Sequence, residues 1–182
     1  MERFLALIIL LLSSPLLLIL CVLIKIDTKG PILYWSKRFG KNNILFSMPK
    51  FRTMIVETPQ VATHLLDKPE MYTTKVGRLL RQSSLDELPQ LFSIVLGDMR
   101  FVGPRPALFN QNDLIDMRTK NNIHTLMPGV TGWAQINGRD ELSLEEKVNF
   151  EIEYKKRRSL NFDCHIIWLT FVKLFGKDGI SH

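Results

Sequence analysis

Apolar positions along the chain fall into one long unbroken run, one loosely alternating stretch, one helical stripe and one aromatic-rich terminal segment. Glycine- and proline-rich polar stretches separate them. From Phe4 through Ile24 no residue is charged and most are Leu or Ile. That matches the roughly 20 residues a helix needs to cross a hydrocarbon core. The segment Leu18-Ile19-Leu20-Cys21-Val22 lacks the small residues that a signal peptidase requires, and bulky Leu20 argues against a lipoprotein signal ending at Cys21. The run therefore reads as an uncleaved anchor. Ser13-Ser14-Pro15 interrupts it: proline removes a helical hydrogen bond and predicts a kink, and serine hydroxyls can satisfy the freed backbone within lipid. Such a helix either crosses the bilayer or enters and leaves by one face. On the crossing reading, Lys25, Lys29, Lys37 and Arg38 against Arg3 place the C-terminal side in the cytoplasm; on either reading the body is cytoplasmic.

Beyond the anchor, Lys25 to Pro31 reads as a juxtamembrane turn, and Tyr34 and Trp35 suit either a headgroup-level belt or a buried pair. Ile44 to Met54 alternates loosely and predicts a strand. Residues 57–76, with Pro59, Pro69 and several Thr, predict a loop containing a short helix near Val61 to Leu66. Apolar residues at 85, 88, 91, 92, 95 and 96 predict a helix with one buried stripe, and Pro89 confines its first turn to the neighbourhood of Asp86 and Glu87. Ala107 to Lys120 predicts an amphipathic helix. Ser143-Leu144-Glu145-Glu146 is a capping box opening a charged helix that runs to about Arg158. Phe162 to Phe175 is short for a span and rich in aromatics, which favours a helix at the membrane surface over a buried core helix. The fold class expected is α/β, mostly helical with few short strands: a membrane anchor over 1–26 and a small cytoplasmic catalytic domain over 27–182 bearing amphipathic surface helices.

Composition narrows the partners. The 182 residues carry a net charge of +6 and a pI near 9.4, which suits anionic lipid, nucleic acid or a polyphosphate. The two cysteines, Cys21 and Cys164, form neither a metal pattern nor a disulfide framework and point to a reducing cytosolic setting. The chemistry concentrates in Arg81 to Gln90. Adjacent carboxylates such as Asp86 and Glu87 can divide labour at a phosphate, one attacking and one holding a metal. The competing reading is structural, because Ser84-x-x-Glu87 is a capping box and acidic residues complement a helix start. Arg105 stands between Pro104 and Pro106 in a glycine turn, so a stiff loop aims a fork able to bind two phosphate oxygens. Lys50 and Arg52, spaced by two, would share one strand face as a phosphate clamp or as solvated charges on an edge. The Pro128 to Asp140 stretch is a shaped loop carrying Arg139.

These residues together resemble a known family. Gly30-Pro31, Lys50-Phe51-Arg52-Thr53-Met54, Ser84-Leu85-Asp86-Glu87-Leu88-Pro89-Gln90, Gly97-Asp98-Met99, Val102-Gly103-Pro104-Arg105-Pro106 and Pro128 through Arg139 are similar to the motifs of the bacterial sugar transferases. These are the monotopic phosphoglycosyl transferases that begin glycan assembly on a polyprenyl phosphate. The resemblance runs in order to about residue 170, and the length is like that of minimal members. It implies that Asp86 attacks the β-phosphorus of a UDP-sugar, releases UMP and carries the phosphosugar until undecaprenyl phosphate takes it. Glu87 would help bind Mg²⁺. Lys50, Arg52, Arg81, Arg105 and Arg139 would form the phosphate cradle, and Ser14-Pro15 would break a re-entrant helix that returns to the cytoplasmic face of the bacterial inner membrane. The implied partners are a UDP-sugar (with an N-acetylated amino sugar expected ahead of galactose or glucose), undecaprenyl phosphate, membrane lipid and downstream glycosyltransferases, with no nucleic acid.

Three places depart from the family pattern. Arg100 and Phe101 replace a small polar residue and Leu, which would add a cation near the site; Asn42-Asn43 lacks the usual turn glycine; and Asn161 to Cys164 strays from Leu-Trp-Leu-Asp. A different class, a membrane-anchored basic scaffold without catalysis, would need aromatics interleaved with a basic stripe. Here the cations sit singly on Gly/Pro loops. One strong hydrophobic segment is too few for a polytopic transferase.

Overall fold

A computed structural model describes residues 1–59, 69–138 and 141–175 of the chain. The apolar run becomes helix α1 (Glu2–Asp27). Its backbone stays helical through Pro15, so no interruption of the helix stands at Ser14-Pro15. The reason is local. Pro15 leaves the carbonyl of Leu11 without its usual partner, and the Ser14 hydroxyl donates to that oxygen at 2.7 Å, while Ser13 donates to Leu10 O at 3.2 Å. α1 is the one described helix long and apolar enough to cross a membrane.

Both ends of α1 rest on the body. Near its start, Ala6, Ile9 and Leu10 pack with Met48, Leu91, Ile94 and Met99; near its end, Leu17, Leu20, Cys21 and Ile24 pack with Phe51 and Leu80. The N-terminal end is also fastened by charge. Arg100 Nε donates to Glu2 Oε1 at 2.9 Å and Oε2 at 3.1 Å, and Arg100 Nη2 pairs with the same carboxylate. The cation expected near the site is thus committed to the start of α1. Other faces of α1 stay bare, including Leu11, Leu12, Leu18, Ile19 and Val22.

β1 (Leu33–Phe39) and β2 (Leu45–Phe51) form an antiparallel hairpin with Tyr34 opposite Lys50 and Arg38 opposite Phe46. Tyr34 and Trp35, read as a belt or a buried pair, are strand residues with exposed side chains. The hairpin turns through Asn42 and Asn43, both at φ 57°, so asparagine supplies the left-handed backbone that glycine would otherwise provide. Two helices follow, α2 (Pro69–Tyr72) and α3 (Lys75–Gln82), so the chain is helical before residue 76, where a loop was expected; the helix expected near Val61 to Leu66 lies outside the described residues. After a 3₁₀ turn (Leu85–Gln90) comes α4 (Leu91–Leu96), which packs along α1.

β3 (Arg100–Val102) pairs in parallel with β5 (Gly129–Thr131), and β4 (Ala107–Leu108) adds antiparallel to β1, giving the order β2-β1-β4. The predicted helix from Ala107 starts only at α5 (Asn112–Lys120), because Ala107 and Leu108 complete the sheet. α6 (Trp133–Ile136), α7 (Leu144–Arg157) and α8 (Leu160–Phe175) close the domain. The Ser143–Glu146 capping box forms as its spacing predicts. α8 is two-faced: Phe162 and Ile166 pack with Val102, Ile136 and Tyr154, whereas Leu160, Trp168, Phe171 and Val172 are exposed.

Candidate active site

The carboxylate pair lies in the 3₁₀ turn rather than in the first turn of an α-helix. Ser84 takes φ 56° and its side chain makes no cap; the capping box that its spacing suggested does not form. Ser84 instead bends the chain out of α3, and Glu87 is free to point elsewhere. Its Oε1 accepts from Lys50 Nζ at 2.7 Å and from Arg105 Nη2 at 3.0 Å. Lys50 comes from β2 and Arg105 from the loop after β3, so three distant segments meet on one oxygen.

That loop is stiff for reasons beyond its prolines. Arg38 Nη1 donates to Pro106 O at 3.1 Å and Gly129 N to Pro104 O at 3.0 Å. A side chain on Gly103 would lie 2.3 Å from Met127 O, so close backbone packing requires glycine there. The neighbouring Pro128 to Gly138 stretch is braced by Trp133 Nε1 donating to Glu153 at 2.9 Å and by Arg157 stacked 5.4 Å from the Trp133 ring centre.

The two carboxylates differ in environment. For Glu87, burial pushes the pKa upward, but the charges and hydrogen bonds of Lys50 and Arg105 outweigh it and hold the group well below the usual carboxylate range. For Asp86, burial wins and the pKa is raised. Lys50, Arg81 and Arg105 pull against that rise through their charge and Glu87 adds to it. Burial also lowers the pKa of Lys50, partly offset by Glu87. The pair is thus one fixed anion and one buried, more basic carboxylate, the separation of roles that acid, base or nucleophilic chemistry exploits.

Of the cations expected in the cradle, Lys50, Arg81 and Arg105 converge on the pair. Arg52 does not join them: its guanidinium donates to Thr28 O at 3.0 Å, Thr28 Oγ1 at 2.7 Å and Lys29 O at 2.7 Å, at the end of α1. Arg139 lies outside the described residues. Sequence reading missed Thr53, whose Oγ1 accepts from Arg81 Nε at 2.9 Å, and Gly77, whose bare Cα lets α3 meet the Thr53 backbone. A glycine inside the short helical segment before the dyad was the available signal for Gly77; nothing local marked Thr53. Among the described residues no group of three His, Cys, Asp or Glu side chains stands ready to hold a metal. One carboxylate, that of Glu87, suffices for Mg²⁺, which keeps waters and takes its remaining oxygens from substrate phosphates, so the donor set fits a site completed by substrate.

Buried Asp86 and partly buried Glu87 are thus ringed by cations from a strand, a helix and a stiff loop, beside the long apolar helix α1. The chain belongs to the bacterial sugar transferase family, whose profile matches residues 1–177. It is 38% identical over 179 residues to the UDP-glucose:undecaprenyl-phosphate glucose-1-phosphate transferase of Escherichia coli, covering 94% of this chain but only 38% of that protein. An uncharacterized sugar transferase of Bacillus subtilis is 36% identical, with 93% of this chain and 82% of the relative covered. The UDP-N-acetylgalactosamine-undecaprenyl-phosphate N-acetylgalactosaminephosphotransferase of Aeromonas hydrophila is 35% identical over 87% of this chain and 39% of its own length.

Proposed function

We propose that the protein transfers a sugar 1-phosphate from a UDP-sugar to undecaprenyl phosphate in two displacements at Asp86. An Asp86 oxygen attacks the β-phosphorus; the bond from that phosphorus to the UMP oxygen breaks, and UMP leaves with the electron pair. An oxygen of undecaprenyl phosphate then attacks the same phosphorus, the acyl-phosphate bond breaks, and Asp86 returns as a carboxylate. The observation that carries this reading is the contrast within the pair: Glu87 is tied to Lys50 and Arg105, leaving Asp86 as the buried carboxylate of raised pKa. Lys50, Arg81 and Arg105 orient the diphosphate and balance the charge that develops on it. Glu87, with phosphate oxygens and water, would hold Mg²⁺, which supplies charge neutralisation when bound.

The donor follows from the resemblance as an N-acetylated amino sugar, with glucose as the competing class because relatives are named for both. The body sits on the cytoplasmic face of the inner membrane, with both ends of α1 on that side. The support is that the two ends of α1, a helix about 39 Å long at 1.5 Å per residue, both contact the same body. The deciding experiment is UMP release by detergent-purified protein with Mg²⁺ and a panel of UDP-sugars, with and without undecaprenyl phosphate, for wild type and Asp86→Asn. Lipid-dependent turnover with one donor, lost in the variant, is the expected result. Turnover by Asp86→Asn at the wild-type rate overturns the nucleophile assignment.

A further inference from the structure

Arg52 directly follows β2 and faces the end of α1, whereas Lys50, two residues earlier, reaches Glu87. Besides its three hydrogen bonds to Thr28 and Lys29, Arg52 is 6% exposed and fits beneath Gly30. That glycine has φ +121°, and a Cβ there would lie 2.1 Å from Arg52 Nη1. The turn after α1 is therefore shaped around the guanidinium. α1 also reaches α3 directly, because the Asp27 carboxylate accepts from Val76 N at 3.0 Å.

One residue on, Thr53 is clasped by α3. Its carbonyl accepts from Thr74 N at 3.0 Å, and a Cβ on Gly77 would lie 2.1 Å from the same oxygen. Gly77 and Arg81 are four apart on α3 and so share a face, which brings Arg81 Nε to Thr53 Oγ1 at 2.9 Å and its charge to Asp86. Two residues before Arg52, Lys50 holds Glu87. Residues 50–53 thus carry the grip on the membrane helix and the supports of both carboxylates within four consecutive positions.

We propose that Arg52 is a positioning residue that couples the seating of the membrane helix's end to the charge surrounding Asp86, acting through Thr53 and Arg81 rather than by binding substrate phosphate. The proposal rests on Asp86 being the nucleophile. A lysine cannot replace the fork, since one ammonium does not span acceptors on both Thr28 and Lys29 in this geometry. The charges facing Asp86 are Lys50 from β2, Arg81 from α3, Arg105 from the loop after β3 and Glu87 beside it. Of these, Arg81 is hydrogen-bonded to Thr53.

The test uses full-length protein in phospholipid nanodiscs with the reacting UDP-sugar and undecaprenyl phosphate, comparing wild type with Arg52→Lys, Gly30→Ala and Thr53→Val. Thr53→Val keeps the side chain's shape and removes only the acceptor, so it remains informative if the other two fold poorly. Each variant is expected to lower kcat about tenfold, the scale of a displaced catalytic group, with the donor KM within about twofold of wild type. A donor KM raised about tenfold in Arg52→Lys at wild-type kcat overturns the proposal and makes Arg52 a phosphate ligand. A lowered thermal midpoint with wild-type kcat in Thr53→Val also overturns it, leaving a structural role. Failure of the underlying chemistry is separate: it appears as undiminished turnover in Asp86→Asn.

Discussion

Asp86 and Glu87 are neighbours in sequence and opposites in energetics. The folded Asp86 has a raised pKa, so the fold favours its neutral form, and holding it ionised at neutral pH costs stability. Asp86→Asn should therefore abolish turnover while leaving the thermal midpoint equal to or above that of wild type. Glu87 has a depressed pKa, so its ionised form stabilises the fold above the unfolded carboxylate range, and that stability is lost as pH falls through the folded value. Glu87→Gln removes the charge that Lys50 and Arg105 share and should cost about 3 kcal/mol of stability, the scale of breaking a buried pair, measured by denaturant unfolding in detergent. Equal midpoints for the two variants would contradict this contrast. In the proposed mechanism Asp86 must be ionised to attack, so kcat should fall on acidification through its raised pKa. The dyad and the cations Lys50, Arg81 and Arg105 could be read from spacing and motif, because phosphate chemistry dictates residue type. The Thr53 contact could not, since nothing along the chain links residue 53 to residue 81 before α3 folds onto β2.

At the scale of elements, α1 is held at its first turn by Glu2 and Arg100 and at its last by Arg52 and Asp27. Glu2→Lys sets two cations against each other and should free the N-terminal turn from β3. A cysteine placed ahead of Met1, with Cys21 and Cys164 replaced, is expected to stay protected from a membrane-impermeant maleimide added to intact spheroplasts. Arg100→Glu, which breaks the pair without adding a cation to the N-terminus, should increase its labelling, and the charge-swapped pair Glu2→Arg with Arg100→Glu should restore protection; no restoration would deny the ion pair this role. The long helices and the β2 strand were legible because their apolar periods are long. β3, β4 and β5 were not, since pairing partners rather than local pattern create two- and three-residue strands; β1 was missed because Lys37 and Arg38 fall side by side and break any alternation. The 3₁₀ turn at Leu85 was hidden for a related reason: an apolar stripe at 85, 88, 91, 92, 95 and 96 reads the same whether its first turn is α or 3₁₀.

Across the whole molecule, bare apolar side chains gather on α1 and on the outer face of α8, while the net charge of +6 favours an anionic surface. Brominated phospholipid should quench tryptophan emission, and Trp168→Phe should remove a large share of that quenching; unchanged quenching would place α8 away from lipid. A larger consequence follows from how α1 is packed. Met48, Ile94 and Met99 at one end, and Phe51 and Leu80 at the other, are buried partly by α1 itself. Deleting residues 1–26 would not release a water-soluble enzyme but would open two clefts of wetted core, at about 25 cal/mol for each Å² of apolar surface exposed. A transplanted single-span helix from an unrelated protein should bring the truncated chain back to the bilayer yet leave it protease-sensitive and inactive. What looks like a detachable anchor is one wall of the catalytic body.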